Sequence, residues 1–419
     1  MADDLSGAND TAVQFVKHGL SALVITHTQF PGDHASYEVL SLNSGSREMD
    51  ENAAYNAVRN LIKSLKTHGL SGSYYKKVDS VLRGNPAPEL TAVMDELDIP
   101  LAITAPSFPA NRSILEQGMI KSGDNNAVAD AVKIFSVKTS KKAESIPLDK
   151  IRLGECLAAE YVLDRHAQGI EVFVADAVND EDLAMVYRLS ATLAVKLPQP
   201  HVLAGSAGLA NHIAANLAKN LHDKKEQLAL MRPFSPGAAC FPVLVAAGTR
   251  QGETAAQITA LSGALQVPVI RFKTDLAMNG RGDEAVTLAY EEAAGQMKNK
   301  ARLCIVAVES MFKAENPGGD PVRNKAESKA ISMGLGSLTG ALMESFKFPL
   351  VVSSGGDTSL EVCKRLGITG IEPLAEIRPG IPIGRIVGGS CENRYIITKS
   401  GRFGSNNTLI EALHYLEAE

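Results

Sequence analysis

Tryptophan is absent from the 419-residue chain, and aromatic residues make up only 5% of it. That scarcity argues against the ring platforms on which single-stranded nucleic acid stacks. A large charge of either sign is missing too: 42 Lys and Arg stand against 47 Asp and Glu, a formal net charge of -5. Such a surface has no overall pull toward nucleic acid or an anionic membrane, although a local basic cleft remains open, and neither partner is expected. Cys156, Cys240, Cys304, Cys363 and Cys391 are odd in number, far apart and form no C-x-x-C. They read as small buried hydrophobes of a reducing compartment, not as a disulfide framework or a zinc site. The nine His contain no H-E-x-x-H, so a catalytic metal held by protein ligands alone has no support. No apolar run reaches the ~18 residues of a membrane span. Met1-Ala-Asp-Asp shows neither the basic nor the apolar region of a signal peptide, and a cytoplasmic location is expected.

What the chain does have is the composition of a globular protein, 45% hydrophobic and 21% charged. At ~100–200 residues per domain, its length implies two domains, three at the upper end. Short apolar runs alternate with amphipathic stretches. The runs are Ser21 to Thr26, Leu101 to Thr104, Val172 to Ala175, Val202 to Ala204, Val243 to Ala246, Cys304 to Val308, Pro349 to Val352 and Tyr395 to Thr398. Between them lie helical patterns such as Asn52 to Leu65, with Val58, Leu61, Ile62 and Leu65 on one stripe. This alternation predicts an α/β protein with largely parallel sheets flanked by helices. A charged stretch followed by Pro and Gly, between His222 and Phe241, reads as a linker. It divides the chain into domains at 1–230 and 235–419. A second irregular stretch, Ala314 to Val322, reads as a mobile surface loop.

Two strand-to-helix corners in the second half carry glycine. Residues 348–368 run FPLVVSSGGDTSLEVCKRLGI. Gly355 and Gly356 permit close backbone approach, Asp357 or Thr358 can cap the following helix, and the helix stops at Gly367. Its first turn suits a phosphate, unless the segment is only a tight corner. Residues 243–258, VLVAAGTRQGETAAQI, form the second corner around Gly248. If both lie at the carboxyl ends of parallel strands, they line one crevice. ITKSGRFGS, 397–405, is a candidate third wall, with Gly401 and Gly404 around Lys399 and Arg402. Neither a Walker A loop nor a G-x-G-x-x-G fingerprint occurs. GSAGLANHIAAN, 205–216, is a loose relative of the latter and reads mainly as helix–sheet packing.

The first half gathers polar residues. Asp3, Asp4, Asn9 and Asp10 crowd ahead of a helix expected over Thr11 to His18 and ended by Gly19. Some are caps, but the excess exceeds what capping needs. Asn43-Ser-Gly-Ser-Arg47 precedes the next helix, and Lys76-Lys77-Val-Asp79-Ser80-Val-Leu-Arg83-Gly84-Asn85 follows. Arg and Lys clamp carboxylates, while Asp and Ser bind hydroxyls, and a solvated charged turn is the plain alternative. Ala105-Pro-Ser-Phe-Pro-Ala-Asn-Arg112 follows a strand and reads as a further wall of the same pocket.

Taken in order, ADDLSGAND, SR at 46–47, KKVDSVLRGN, APSFPANR, GSAGLA, SSGGDTSLEVCKRLGI, PGIPIGR at 379–385 and TKSGRFG resemble the four-carbon acid sugar kinases over nearly the whole chain. The resemblance implies an N-terminal acid-sugar-binding domain, a C-terminal ATP-binding domain and an active site in the cleft between them. By that likeness Asp4, Arg47, Lys77, Val78, Asp79 and Ser80 contact the substrate, with Arg83 nearby. Thr249, Gly355, Gly356, Asp357, Thr358 and Gly401 contact ATP. Such proteins usually have a short strand before the ADD segment. Only Met1 and Ala2 stand there in this chain, so a natural start a few residues upstream is expected.

The implied reaction is ATP- and Mg2+-dependent phosphorylation of a four-carbon sugar acid. D-threonate, giving D-threonate 4-phosphate, is preferred on overall similarity, and D-erythronate and 3-oxo-tetronate are the alternatives. Arg47 and Lys77 are expected to hold the carboxylate, and Asp79, or else Asp4, to orient or deprotonate the hydroxyl. Domain closure then excludes water. Protein ligands supply the metal with one carboxylate at most. An NAD(P)-dependent reductase and a non-catalytic sugar-acid sensor are the rival readings. The first lacks its dinucleotide fingerprint, and the second lacks both a signal peptide and a helix-turn-helix. A homodimer is expected from base rates alone.

Overall fold

The computed structural model describes residues 1–26, 34–70, 72–123, 126–221, 240–313 and 321–417. They form two compact units, Met1–Leu20 with Ser41–Leu228, and Ser21–Leu40 with Ala229–Glu419. The expected linker falls mostly at 222–239 and the expected loop mostly at 314–320, both outside the described residues. In one respect the partition is not linear. The first apolar run, as strand Ala22–Ile25, pairs antiparallel with Gly370–Arg378 of the second unit. Its four residues are all buried, and their pattern carries no mark of which sheet they join.

The first unit centres on five parallel strands in the order Tyr75–Lys77, His201–Gly205, Leu101–Ala105, Val172–Ala175, Ala143–Ile146. Helices on the sheet bury Phe173, Leu189, Leu193 and Leu209 with Ile103 in one core. Three further strands, Ser113–Glu116, Met119–Ser122 and Asn126–Asp130, form a small antiparallel sheet. The Asp176 carboxylate, just past Val172–Ala175, anchors its first turn by accepting the Gln117 and Gly118 N–H groups at 2.7 and 3.0 Å.

Helix Glu51–Thr67 forms where its pattern predicts. Asp50 caps it by accepting the Ala53 N–H at 2.8 Å, and Val58, Leu61, Ile62 and Leu65 are buried. The expected helix Thr11 to His18 is corrected: it spans Leu5–Val16, with Asp4 as its N-cap accepting the Gly7 N–H at 2.7 Å. Asn9 and Asp10 are therefore inside the helix, and the cap comes from the acid one turn earlier. Met1 and Ala2 hydrogen-bond on both sides: Lys77 N–H donates to Met1 O, and Ala2 N–H to Leu42 O, each at 2.8 Å.

In the second unit the parallel strands are ordered Val269–Phe272, Leu303–Val308, Val243–Ala247, Leu350–Ser354, Tyr395–Lys399. Ile381–Val387, Gly370–Arg378 and Ala22–Ile25 extend the sheet in antiparallel fashion. The first strand of the parallel run, Val243–Ala247, lies in its middle. The chain goes to the edge strand Val269–Phe272, returns to Leu303–Val308 between the two, and then crosses to Leu350–Ser354 on the other side. Open α/β sheets bind ligands at such a reversal, outside the carboxyl ends of the strands.

One buried ion pair supports the first unit. Lys76 is fully buried on its strand and meets Glu89 at 2.7 Å. Glu89 lies in the first turn of Pro86–Leu97, a helix that starts with proline at N1, and also accepts from Ser46 Oγ at 2.6 Å. Burial pushes its carboxyl above the ordinary range, against the pull of Lys76. Removing one member leaves a charge stranded. Lys76→Met is expected to destabilise the protein by about 3–5 kcal/mol in urea melts followed by circular dichroism. Lys76→Met with Glu89→Leu should recover part of that loss, and equal losses would show that the pair is not coupled.

Candidate functional site

Two polar centres emerge, one in each unit. In the first unit the centre gathers at the end of strand Tyr75–Lys77 and the start of helix Leu5–Val16. Arg47 is its hub. Its guanidinium donates to Asp3 through two bonds, 2.8 and 2.9 Å, and pairs with Asp4. Asp79 Oδ2 lies 3.6 Å from Arg47 Nη2 and accepts from Arg83 at 2.6 and 3.1 Å. The other Asp79 oxygen accepts the Val81 and Arg83 N–H groups. Asp4, Arg47, Asp79 and Arg83 thus stand together as the sequence grouped them, and Asp3 completes the set.

Electrostatics follow from that grip. Burial alone would raise the Asp3 and Asp79 carboxyls. The Arg47 charge, joined at Asp79 by Arg83, overrides it and holds both below the ordinary 3.8. Burial opposes the Arg47 charge, yet its three carboxylates raise its pKa well above the usual value. Arg47 is therefore already engaged by carboxylates of the protein itself.

Lys77 differs. It is 5% exposed, and its ammonium makes no hydrogen bond or ion pair among the described residues. Its ammonium lies against the first turn of helix Leu5–Val16: a Cβ built on Gly7 would stand 3.2 Å from Lys77 Nζ and 2.8 Å from Asp4 Oδ1. A cation and a helix N-terminus meet here, which is an arrangement suited to a carboxylate. Val78 is buried, and its N–H is spent on Gly205 O at 2.8 Å. Ser80 O accepts from Ser113 Oγ at 2.7 Å, which joins the Ala105–Arg112 segment to the same region. At the GSAG corner a Cβ on Gly205 would meet Ala105 O at 2.5 Å, so this glycine serves close packing of two strand ends.

The second centre sits at the strand reversal of the second unit. Gly248 and Gly355 leave adjacent parallel strands: Gly248 N–H donates to Ser354 O at 3.1 Å and Gly355 N–H to Lys399 O at 2.9 Å. Three corners meet at Thr249. A Cβ on Gly401 would stand 2.4 Å from Thr249 Oγ1, and one on Gly355 would stand 3.5 Å from Thr249 Cβ. Only glycine allows the first approach, and Gly355 also has a φ of 109°, in the region that glycine favours.

Helix Gly356–Leu366 has Gly355 at its N-cap and no side-chain cap, which corrects the expectation that Asp357 or Thr358 would cap it. Asp357 is exposed in the first turn, and Thr358 is buried one residue further on. Thr358 packs into the Gly248 corner, where a Cβ would lie 1.9 Å from its Oγ1. Helix Gly252–Leu265 also lacks a side-chain cap. Two open helix starts, glycines and hydroxyls make a donor set for phosphate oxygens. Among the described residues no group of three or more His, Cys, Asp and Glu could hold a metal.

Sequence reasoning passed over Asp3 as a partner of Arg47 and the Lys76–Glu89 pair, and it placed Lys399 in a candidate phosphate wall, whereas the side chain is buried beneath the second centre against Thr254 and main-chain carbonyls. The available signal at Lys399 was a lysine ending a mostly apolar strand, Tyr395–Lys399, whereas Lys76 stands beside Lys77 in Tyr75–Lys77 and gives no such contrast.

Residues 1–213 match a family model described as a sugar-binding N-terminal domain, and 244–409 match one described as a nucleotide-binding C-terminal domain. Over all of this chain and 97% of the relative's, it is 27% identical to D-threonate kinase of Salmonella typhimurium. It is 29% identical to D-threonate kinase of Bordetella bronchiseptica, over 98% of this chain and 95% of that one. A 3-oxo-tetronate kinase of Burkholderia multivorans is 24% identical over 100% and 96%. A solved Salmonella typhimurium protein shares the fold, with TM-score 0.72 and 19% identity over 98% and 97% of the two chains.

Acidification tests the Arg47 cluster. Asp3 and Asp79 titrate lower in the fold than in the unfolded chain. Their stabilisation is therefore complete above about pH 4 and lost as pH falls below it. Asp79→Asn is expected to flatten that acid limb in urea melts between pH 3 and 7, and an unchanged limb would remove Asp79 from the cluster's energetics.

Proposed function

The chain belongs to the four-carbon acid sugar kinase family, and from that premise we propose that it converts D-threonate to D-threonate 4-phosphate. The reading is supported by the two named D-threonate kinases at 27% and 29% identity. D-erythronate and 3-oxo-tetronate remain the alternative acids, since relatives with those names stand at 24%. The observation that carries the site assignment is the contrast at Lys77. Arg47, Lys76 and Arg83 each pair with a carboxylate, whereas among the described residues none lies within ion-pairing distance of the Lys77 ammonium.

In this reading Lys77 takes the substrate carboxylate together with the first turn of Leu5–Val16. Asp4 and Asp79 orient its hydroxyls, and Arg83 and Arg47 hold those two carboxylates in place. Asp79 has too low a proton affinity to be a strong base, so its role is orientation of the attacking hydroxyl. Phosphoryl transfer depends mainly on positioning and charge neutralisation, and that is compatible with such a weak base. Thr249, Gly355, Gly356, Thr358 and Gly401 cradle the nucleotide phosphates with main-chain N–H groups and hydroxyls. ATP with Mg2+ supplies the phosphoryl group. At the corner Asp357 would supply the metal with a single carboxylate, the rest of its shell being phosphate and water.

Coupled ADP release over D-threonate, D-erythronate and 3-oxo-tetronate tests the reading. D-threonate is expected to give the highest kcat/KM, and no ADP release with any of the three would end it. Lys77→Met should raise KM for the acid ~10–150-fold, the loss of one charged hydrogen-bond contact, and leave KM for ATP unchanged. An unchanged KM for the acid would move the carboxylate site elsewhere.

A further inference from the structure

Resting on the reading that the second unit's corner holds nucleotide phosphates, we propose that the Lys399 ammonium is a tethered monovalent cation that holds the 400–403 loop in its binding shape. Lys399 ends strand Tyr395–Lys399 and is fully buried. Its Nζ faces four oxygens: Ser400 O at 2.8 Å, Phe403 O at 3.1 Å, Thr254 Oγ1 at 3.2 Å and Gly401 O at 3.5 Å. Thr254 Oγ1 gives its own proton to Gly401 O at 2.8 Å, so its lone pairs turn toward the ammonium.

All four partners are neutral. Among the described residues Lys399 has no carboxylate within ion-pairing distance. The other fully buried lysine, Lys76, does have one, in Glu89. A ring of main-chain carbonyls with one hydroxyl is the ligand set that proteins offer to potassium, whose hydration shell such oxygens replace. An ammonium group has similar size and charge. Three of the four oxygens belong to the loop that presses Gly401 against Thr249. The Gln257 amide adds a further bond to Phe403 O at 3.0 Å. Without a central positive charge, three inward-facing carbonyl dipoles would repel one another and the loop would open.

Buried as it is, Lys399 acts through this loop and is a positioning residue. Burial pushes its ammonium down to about 7 and the Glu253 charge opposes that. The oxygen ring favours the charged form as well.

The test replaces the tether by a free ion. Wild type and Lys399→Met are compared in choline buffer with added KCl, NH4Cl or LiCl at equal ionic strength. Wild type is expected to show the same ATP affinity and melting midpoint with every cation. Lys399→Met should lose ~10-fold or more in ATP affinity in choline and LiCl. KCl and NH4Cl should restore that affinity and raise the variant's melting midpoint by ~3–8 °C. A merely structural lysine would give no such selectivity. Lys399→Gln, neutral and shorter, is run beside it in case the methionine variant does not fold. A response of the variants to potassium no larger than that of wild type, or failure of both to recover in it, overturns the proposal. The melting comparison needs no substrate, so it stands even if wild type phosphorylates none of the acids, a result that would instead overturn the kinase reading.

Discussion

The first unit depends on a single arrangement of charge, the Arg47 guanidinium held by Asp3 on two atoms and by Asp4 on a third. These residues come from the chain start, where Asp4 also caps Leu5–Val16, and from the segment before Glu51–Thr67. Asp79, with Arg83, ties in the end of Tyr75–Lys77. Three pieces of backbone that are distant in sequence are thereby fixed by one guanidinium. The Arg47 charge, with Arg83 at Asp79, keeps the buried carboxylates ionised, and those carboxylates in turn offset the burial of Arg47. Lys77 stands at the edge of this set, and among the described residues no carboxylate lies within ion-pairing distance of its ammonium, which is the ground for proposing it as the anion's partner.

The second unit solves a different problem. The corner at the strand reversal is lined by neutral donors, the set that the proposed triphosphate, with its own large negative charge, would meet. Uncapped helix starts at Gly252 and Gly356 and the hydroxyls around Thr249 present N–H and O–H groups. Three strand ends must converge within contact distance of Thr249 for this to work, and side chains at Gly401 or Gly248 would prevent it. The cost of that convergence is a set of inward-facing carbonyls at 400–403, and Lys399 is the charge that offsets it.

Much of this was legible in the residues. All eight apolar runs are strands; seven lie in parallel pairs, where burial on both faces demands a continuously hydrophobic run, and Ala22–Ile25 is antiparallel but equally buried. The glycine corners and the Lys76–Asn85 stretch stood out because their residue types have local jobs to do. Other features left little trace. Asp3 looks like Asp4 or Asp10 in a string of acids, and only the path of the chain decides that it faces Arg47. Ala22–Ile25 reads as a strand, yet nothing in four apolar residues says that it pairs with Gly370–Arg378. Helix starts shifted as well: the cap went to Asp4 and to Gly355, where backbone direction and not side-chain type decided.

The amino-acid sequence alone determined the alternating α/β build and the eight ordered motifs that carry the family resemblance, since those rest on local periodicity and residue types. Tertiary structure decided which charges neutralise one another and which are left over. Arg47 and Lys77 are equal candidates on paper. In the fold, carboxylates of the chain itself consume the first and leave the second, because a buried charge is defined by what packs around it and not by its neighbours in sequence.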